Sequence, residues 1–570
     1  MKKKIAAFTA AAAAGAYLLK SRETPSAAIR KIVKRVKPNQ DGHPDYNNGA
    51  ALTPPMGWSS WNSFHNDVDE NLIYDTAKAM KESGLLDAGY QYVNIDDCWQ
   101  AATRDENGEM MPDPATFPHG IKSLVEKIND LGFKVGIYSS NGTLTCQDLP
   151  ASYGHELTDA RTFAKWGVEY FKYDFCHRVF TTGVAPQFEK ISIIGGKMTE
   201  EKIYLASEAE LSGDAKILRD SNLESFEYVT GLSYGMGAMT YTDIEADEDA
   251  EYAVTFYLRR RSQLAKHFEL LVNGTDNYVI DVPKAEFVHQ RGKHHAYIKL
   301  KKGKNTIKIY TPIGSFMDSS AIQYRNMGKY LKQASAEVAA QTGEKEKPIV
   351  FSICEWGVNM PWKWGKSAGN LWRTTLDIFP NWASIMGIYE INVNLWKYAS
   401  PGAWNDPDML KVGNGNLTPE ENRSHFSLWC MMAAPLILGN DIRKFILPDG
   451  SVDKDNDILK VVTNKKLIEI DQDELGIQGR RIRTSPFGDI LVKPLSDGSA
   501  AVCFFNKTSD YRFFTLPMNE LIDKTYIELK YADEYIAEDL WNDTSRDIDY
   551  ALADTVAPHG VCVYRIRNKE

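Results

Sequence analysis

The sequence predicts an α/β protein: a (β/α)8 (TIM) barrel, interrupted by an inserted β-sandwich module and followed by a C-terminal antiparallel β-sandwich domain. Eight short apolar runs alternate with helical patterns, the alternation breaks between residues 177 and 347, and only strand patterns follow residue 476. At 570 residues the chain is also too long for one hydrophobic core.

The barrel strands are predicted from the apolar runs at 56–58, 90–95, 135–138, 170–173, 349–353, 371–374, 402–404 and 435–438. Helical patterns separate most of them, including 70–83 and 419–432. Thr418, Pro419 and Glu421 form a typical helix start with a capping box. A doubly wound nucleotide-binding sheet is disfavoured because no glycine-rich phosphate loop follows any strand. A barrel places its pocket at the carboxyl ends of its strands.

The break in the alternation predicts a separate domain, because it is far longer than an ordinary loop. Its strand patterns, 252–258, 268–272, 296–300 and 306–310, are separated by turn signals such as Asn273-Gly274. The barrel resumes with a helix at 324–341. The predicted division is 1–48 (signal or anchor and basic linker), 49–190 (barrel), 191–320 (insert), 321–474 (barrel) and 475–570 (C-terminal domain).

Composition narrows the class of partner. The net charge is -10 with no basic stripe, which argues against nucleic acid and favours small or uncharged ligands. The 13 Trp and 28 Tyr residues suit stacking on sugar rings, although most such residues belong to cores. The seven Cys residues do not form a disulfide scaffold, and no Cys or His spacing matches a zinc site.

The N-terminus has the pattern of an export signal: three lysines at 2–4, an alanine-rich apolar stretch at 5–19, and Lys20. The stretch is short for a membrane span, and an uncleaved anchor is the alternative. Residues 28–36 mix basic and apolar side chains and suit either an anionic membrane surface or a solvated linker. We therefore expect a secreted or cell-surface associated protein, with possible membrane-surface association through this segment.

A carboxylate and a cation lie close together in the sequence at the ends of two predicted strands. Lys172 and Asp174 share one face of the run at 170–174, and Arg373 precedes Asp377 by four residues. Two carboxylates with different environments suit glycoside hydrolysis, in which one is an ionised nucleophile and the other a proton donor. Two structural salt bridges would give the same pattern.

An ordered set of motifs resembles glycoside hydrolase family 27, the α-galactosidases. The matching runs are Pro55-Met56-Gly57-Trp58, Asn94-Ile95-Asp96-Asp97-Cys98-Trp99, Lys172-Tyr173-Asp174, Cys354-Glu355-Trp356-Gly357, Trp372-Arg373-Thr374-Thr375-Leu376-Asp377 and Trp404-Asn405-Asp406-Pro407-Asp408-Met409. The resemblance implies a barrel, a C-terminal β domain and a retaining mechanism that needs no metal or cofactor for catalysis.

By this resemblance Asp174 is the nucleophile and Asp377 the acid/base. We expect Lys172 to keep Asp174 ionised through opposite charge. We expect burial and the negative nucleophile to raise the pKa of Asp377.

The resemblance also implies a substrate-binding set. Asp96 and Asp97 accept hydrogen bonds from the sugar O4 and O6 hydroxyls, and Trp61 packs against the apolar face of the ring. Arg373 binds substrate and orients its loop. The other pocket positions are Lys172, Tyr138, Glu355, Asp408 and Met409.

The cysteines partly follow the family pattern. Cys146 and Cys176 match a disulfide common beside the nucleophile, and Cys98 lacks its usual partner and is expected to be a free, buried thiol. Ser140 stands where family members often carry an Asp, which weakens the substrate assignment at one edge of the pocket.

The insert resembles carbohydrate-binding modules of families 6 and 35. Glu208 and Glu210 match a calcium-ligand pair there, and Asp318 could complete an all-oxygen site for a structural Ca²⁺. The insert contains no Trp, so a spacer or lid is the alternative to a sugar-binding module.

These expectations combine into one function: a retaining α-galactosidase that removes terminal α-D-galactose from oligosaccharides, polysaccharides or glycoconjugates. Glu355 is expected to accept a hydrogen bond from the 2-hydroxyl, where N-acetylgalactosamine would clash. The alternatives are a β-L-arabinopyranosidase, an α-N-acetylgalactosaminidase, or a non-catalytic sugar-binding protein. The oligomeric state stays open.

Overall fold

A computed structural model of the chain describes residues 43–569, except 223–225, 261, 265, 284, 288–289 and 526–528. The predicted signal or anchor thus lies outside the described residues. The chain forms two compact units, of which one ends at Arg178 and resumes at Tyr324 while the other comprises Val179–Gln323. The insert therefore begins before, and ends after, its predicted limits of 191 and 320.

The first unit contains an eight-stranded parallel sheet. Its strands are β1 (Met56–Ser59), β2 (Tyr92–Asn94), β3 (Lys134–Ser140), β4 (Tyr170–Asp174), β5 (Val350–Ile353), β6 (Leu371–Arg373), β7 (Trp404–Asp406) and β8 (Leu436–Leu438). They pair in the order β7-β6-β5-β4-β3-β2-β1-β8. Leu410, just beyond β7, forms a parallel bridge with Leu438 of β8, which closes the ring. The predicted barrel is confirmed.

Helices follow most of the strands. They are α1 (Trp61–Phe64), α2 (Glu70–Glu82), α3 (Gly120–Asp130), α4 (Glu156–Trp166), α5 (Phe316–Thr342), α6 (Trp382–Asn392), α7 (Pro419–Met431), α8 (Asp457–Val462) and α9 (Lys465–Asp471). The predicted capping box of α7 is present, with reciprocal bonds between Thr418 and Glu421 at 2.9 and 3.2 Å. In the described part of the chain, no helix has the length and apolarity to cross a membrane.

Strand β4 shows how the barrel positions its functional side chains. Its outer face packs Phe171 against Phe163 of α4 and Tyr173 against Tyr324 of α5, with ring centroids 5.1 and 5.4 Å apart. Because side chains alternate along a strand, Lys172 and Asp174 share the opposite face. Parallel pairing with β3 then sets Tyr138 beside Lys172.

The second unit is a two-layer antiparallel β structure around its own apolar core. One sheet has the strand order Asp276–Val282, Lys266–Val272, Gly303–Tyr310, Gly237–Ala246 and Glu210–Gly213. The other has the order Arg291–Leu300, Ala250–Arg259, Gln187–Gly195, Glu227–Thr230 and Lys216–Arg219, with Lys202–Leu205 beside Gln187–Gly195. Each of the four predicted strands lies within one of these elements.

The C-terminal region is an antiparallel β-sandwich with a separate core. Its larger sheet has the strand order Arg480–Thr484, Gly488–Pro494, Ala500–Asn506, Val561–Asn568, Tyr535–Asp539 and Thr544–Ile548. Arg512–Pro517 pairs with Ala551–Val556. The expectation of strands alone was wrong at one place, because Met518–Thr525 forms helix α10.

A cluster of buried charged residues connects the C-terminal domain with α6, the helix that follows Asp377. The fully buried Asp489 carboxylate accepts a hydrogen bond from the Tyr389 hydroxyl at 2.8 Å and pairs with Lys507 and Arg481 at 2.7 and 3.1 Å. Removing Asp489 would take one carboxylate from two largely buried cations, Arg481 and Lys507, whose remaining ion pairs are with Glu390. The C-terminal domain thereby holds the helix that begins just after the Asp377 loop.

The second unit carries a buried histidine between two carboxylates. His267 Nδ1 lies 2.8 Å from Asp281 Oδ1, whereas its Nε2 lies 3.5 Å from Glu269 Oε1. Asp281 therefore accepts the shorter hydrogen bond, and Glu269 interacts with the ring mainly through its negative charge. Burial lowers the pKa of His267, but the two acidic neighbours outweigh it and raise the pKa to about 9.

We predict a pH-dependent contribution of His267 to stability. Its folded pKa lies above the unfolded value of about 6.5, so the stabilisation is complete below pH 6.5 and is lost as the pH rises towards 9. Thermal unfolding should show a stability margin of wild type over His267→Gln that shrinks across this window. The pH-dependent part of the margin is at most about 3 kcal/mol, and less through screening because Asp281 is 60% exposed. His295→Gln, in the other sheet of the unit, is the control; a margin independent of pH would contradict the assignment.

Candidate active site

A cavity of about 480 Å³ opens at the carboxyl ends of the barrel strands. Most of the predicted site residues line it: Trp61, Asp96, Asp97, Tyr138, Lys172, Asp174, Arg373, Asp377, Asp408 and Met409. They come from the ends of β2, β3, β4, β6 and β7, from the loops that follow, and, for Trp61, from the short helix after β1. This is the usual place for a barrel active site.

Asp174 is buried at the end of β4 and is held by two donors. Its Oδ2 accepts a hydrogen bond from the Tyr138 hydroxyl at 2.9 Å, and its Oδ1 accepts one from the Phe175 amide at 2.8 Å. Burial raises the pKa of Asp174, while the charge of Lys172 and these donors act against the rise. The net pKa stays above the ordinary value, and the negative charge of Asp377 adds to it.

Lys172 makes its direct ion pair with Asp96 rather than with Asp174. Its Nζ lies 2.8 Å from Asp96 Oδ2, which also accepts a hydrogen bond from the Ser59 hydroxyl at 3.0 Å. Lys172 therefore lowers the pKa of Asp174 by its charge, as expected, but without a direct ion pair, and its contact is with the carboxylate that follows β2, two strands away in the sheet.

Asp96 and Asp97 both line the cavity because β2 ends at Asn94 and the chain is already in the loop. Asp97 is buried and accepts hydrogen bonds from the Cys98 and Gln147 amides at 2.8 and 3.1 Å. Burial raises the pKa of Asp97 to about 6 despite these donors. Two carboxylates thus offer acceptor atoms on one side of the cavity.

Arg373 is buried at the end of β6 and links two carboxylates. Its Nη2 lies 2.9 Å from Asp408 Oδ2 and 3.0 Å from Asp377 Oδ1, and it also donates to the Thr375 carbonyl at 3.2 Å. Asp408 further accepts hydrogen bonds from the Ile378 and Met409 amides at 2.8 and 2.7 Å. The loop that carries Asp377 is therefore fastened to the end of β7.

Asp377 differs from the expected general acid. Partial loss of solvent at the cavity raises its pKa, but the charge and hydrogen bond of Arg373 outweigh that effect. The charges of Lys172 and Lys411 act in the same direction as Arg373, and the net pKa is lowered. The side chain is 71% exposed, so solvent screens these interactions. The predicted upward shift is wrong for this arrangement, because the sequence did not reveal that Arg373 would bond the carboxylate directly.

Glu355 is not among the residues that line the cavity. It is fully buried, and its carboxylate accepts hydrogen bonds from Asn359, at 3.0 Å from the amide and 2.5 Å from the side chain. Burial raises the pKa of Glu355 to about 8. The expected contact with a 2-hydroxyl is therefore not supported, and Trp356 lines the cavity instead.

The backbone after β5 explains why Trp356, rather than Glu355, lines the cavity. Trp356 and Gly357 both have left-handed conformations, with φ of 59° and 74°. An added Cβ on Gly357 would lie 2.2 Å from the Thr374 carbonyl, so only glycine fits there. The resulting tight turn places Glu355 in the interior and Trp356 at the cavity.

A disulfide joins Cys146 and Cys176, as the resemblance implied, with Cα atoms 5.1 Å apart. It connects the loops after β3 and β4, and Cys146 itself lines the cavity. Ser140 is buried and donates to the Cys176 carbonyl at 2.9 Å, so it supports this loop rather than the pocket edge. Cys98 forms no disulfide within the described chain and is half-buried, not fully buried.

The predicted calcium ligands do not converge. Glu208 accepts a hydrogen bond from the Leu205 amide at 3.0 Å, Glu210 is exposed, and Asp318 accepts bonds from Gly314 and Ser315 at 3.0 and 2.9 Å. Within the described residues, one trio of possible ligand atoms lies within 4.8 Å, namely Cys146, Asp174 and Cys176. Two of these are joined in the disulfide, so this trio is not a metal site.

Sequence reasoning missed part of the cavity wall. Trp356, Pro380, Lys411, Asn414 and Gly415 also line it. Trp356 lies inside one of the motifs that resemble family 27 and Lys411 lies two residues after another, so the available signal was proximity to those motifs. Their orientation depends on loop geometry that the motif does not encode.

Comparison with known proteins agrees with this architecture. The profile described as "Alpha galactosidase A" matches residues 53–207 and 313–473, and that described as "Alpha galactosidase C-terminal beta sandwich domain" matches 488–566. Residues 208–312, within the second unit, fall between the two matched segments of the first profile.

Individual relatives give the same result. The chain is 31% identical over 502 residues to an alpha-galactosidase of Cyamopsis tetragonoloba, covering 88% of this chain and 82% of the relative. It is 32% identical over 526 residues to alpha-galactosidase 2 of Arabidopsis thaliana, covering 92% of each. The crystal structure of alpha-galactosidase I from Mortierella vinacea aligns with a TM-score of 0.63 at 26% identity, covering 92% of this chain and 99% of that one. The chain therefore belongs to the alpha-galactosidase family, glycoside hydrolase family 27.

Proposed function

We propose that the protein is a retaining α-galactosidase that removes terminal α-D-galactose from oligosaccharides, polysaccharides or glycoconjugates. The observation that carries the proposal is that Asp174 and Asp377 line the same barrel cavity. Asp174 is buried and accepts hydrogen bonds from two donors, whereas the Asp377 side chain is largely exposed. A non-catalytic sugar-binding protein would need neither carboxylate. Family membership supports galactose as the sugar.

In the first step, a carboxylate oxygen of Asp174 attacks the anomeric carbon while Asp377 protonates the departing oxygen. The product is a galactosyl ester of Asp174 and a free aglycone. In the second step Asp377 takes a proton from water, the water oxygen attacks the same carbon, and the ester bond to Asp174 breaks. Two inversions leave galactose with its original α configuration.

The reaction needs Asp174 ionised and Asp377 protonated, yet the pKa of Asp174 is raised and that of Asp377 is lowered. We infer that bound substrate reverses this balance. A glycoside over Asp377 would exclude water from a side chain that is 71% exposed and compete for Arg373, and both changes raise the carboxyl pKa. At Asp174, Tyr138 and Lys172 continue to favour the charged form.

Sugar selectivity is assigned to two sides of the cavity. Asp96 and Asp97 are proposed to accept hydrogen bonds from the O4 and O6 hydroxyls, and O6 is absent from β-L-arabinopyranose. Since Glu355 lies outside the cavity, the bulk of the Trp356 indole is proposed to exclude the acetamide of N-acetylgalactosamine. Trp61 would pack against the apolar face of the sugar.

For the second unit we propose a module related to carbohydrate-binding families 6 and 35. Its two antiparallel sheets around one core are compatible with this origin. A structural Ca²⁺ on Glu208, Glu210 and Asp318 stays a prediction that rests on the resemblance, since these side chains do not converge. Export to the cell surface or beyond, and association of the N-terminal segment with membranes, are proposed from the residues at 1–36.

The direct test of substrate class compares kcat/KM for three 4-nitrophenyl glycosides: α-galactoside, β-L-arabinopyranoside and α-N-acetylgalactosaminide. We expect the α-galactoside to be the best substrate. The β-L-arabinopyranoside lacks the O6 hydroxyl that would bond Asp96 or Asp97, and the acetamide of the α-N-acetylgalactosaminide would clash with the Trp356 indole. A group left without its hydrogen bond costs about 1–3 kcal/mol, or roughly 5- to 150-fold in kcat/KM. A faster rate on either competitor would overturn the galactose assignment, and no hydrolysis of any of them by folded protein would favour a non-catalytic role.

The Tyr138–Asp174 hydrogen bond should set the pH dependence of nucleophilic attack. In an Asp377→Ala background with an activated aryl galactoside, the acid limb of kcat/KM no longer contains Asp377 and reports ionisation of Asp174 together with that of Asp97. Adding Tyr138→Phe removes a donor to the Asp174 carboxylate, so its pKa rises and the limb should move up by about one pH unit. Tyr90→Phe is the control, since that buried hydroxyl donates to the Val462 carbonyl. An unmoved acid limb would refute the role of Tyr138.

A further inference from the structure

Lys411 is a buried cation in the cavity wall to which the proposed reaction assigns no contact with substrate, although its charge helps to lower the pKa of Asp377. Its residue is 6% exposed and lines the cavity. Two other lysine or arginine side chains line the same cavity, and both are paired, Lys172 with Asp96 and Arg373 with Asp377 and Asp408. Across the described residues, the Lys411 ammonium has neither a hydrogen bond nor an ion pair within 4.0 Å.

An ammonium on a largely buried side chain is less stable without an ion-pair partner than with one, so its retention in the wall of the cavity points to an anionic ligand. The carboxylates that attract Lys411 are Asp408 and Asp377, and both already bond Arg373. The positive charges of Arg373 and Lys172 act against Lys411. An additional anion in the cavity would supply the missing partner.

The position of Lys411 identifies which part of a substrate it would face. Lys411, Asn414 and Gly415 form a wall with Pro380, from the loop after Asp377. The two loops touch, since an added Cβ on Gly415 would lie 2.4 Å from the Pro380 carbonyl oxygen. Phe379 beside them is 62% exposed, so this wall extends to the solvent.

The proposed acid also belongs to this wall. Asp377 must approach the oxygen that leaves with the aglycone, so the aglycone lies on the same side as Lys411. Asp96 and Asp97, the proposed partners of galactose, come from the end of another strand, β2. At about 480 Å³ the cavity has room for more than one sugar ring.

We propose that Lys411 recognises a negatively charged substituent on the aglycone of an α-galactoside. The inference deepens the proposed function and rests on it, because it uses Asp377 to define the leaving-group side. The ammonium would pair with a carboxylate on the group next to the terminal galactose, and the neutral galactose itself would be bound as before.

The test uses two matched substrate pairs, the 4-carboxyphenyl and 3-carboxyphenyl α-galactosides and their methyl esters. For each enzyme, kcat/KM for the carboxylate is divided by kcat/KM for the ester. Comparing this ratio between enzymes cancels the different leaving abilities of the phenols. Wild type, Lys411→Met and Lys411→Arg are measured at low and high salt. Lys78→Met, which removes one exposed charge from helix α2, controls for general electrostatic attraction.

For at least one isomer we expect the ratio to fall about fivefold in Lys411→Met, to be kept in Lys411→Arg and Lys78→Met, and to decrease with salt in wild type. An unchanged ratio in Lys411→Met for both isomers would overturn the proposal while leaving the galactosidase assignment intact. If wild type hydrolyses none of the esters, the proposed function fails, and the placement of Lys411 beside the leaving group fails with it.

Discussion

The burial of carboxylates at one end of the barrel is the constraint on which the site depends. An uncompensated buried charge costs several kcal/mol, so each needs a cation or a set of donors. Asp96 and Asp408 obtain cations, Lys172 and Arg373. Asp97 and Asp174 instead accept hydrogen bonds, and the pKa of each is raised. The proposed nucleophile is thus a carboxylate stabilised by donors and by a charge at a distance, which leaves its oxygens available for reaction.

The surrounding fold fixes this arrangement before any substrate binds. Parallel pairing sets Tyr138 of β3 beside Lys172 of β4, and aromatic packing behind β4 holds that strand in place. The Cys146–Cys176 disulfide joins the loops after β3 and β4, within 4.8 Å of the Asp174 carboxylate. The C-terminal domain steadies α6 through Asp489. Charges and dipoles held in this way need little reorganisation when charge develops in a transition state.

The barrel could be predicted from the sequence because parallel strands are buried on both faces and read as short apolar runs. The start of α7 could be predicted because its capping residues act locally. Glu355 could not be placed, since its burial follows from the left-handed backbone at Trp356, which motif spacing does not reveal. The pKa of Asp377 was predicted in the wrong direction because it depends on which carboxylate Arg373 reaches in three dimensions.

Asp174 is the residue on which the proposed reaction depends, and a trapped intermediate tests it most directly. Full-length protein is incubated with a 2-deoxy-2-fluoro galactosyl fluoride, whose fluorine slows hydrolysis of the glycosyl ester, and its peptides are mapped by mass spectrometry. Asp174→Asn serves as the unlabelled control. A single fluorogalactosyl group on the peptide containing Asp174, at the Asp174 carboxyl, is the predicted result; a label on any other residue would contradict the assignment.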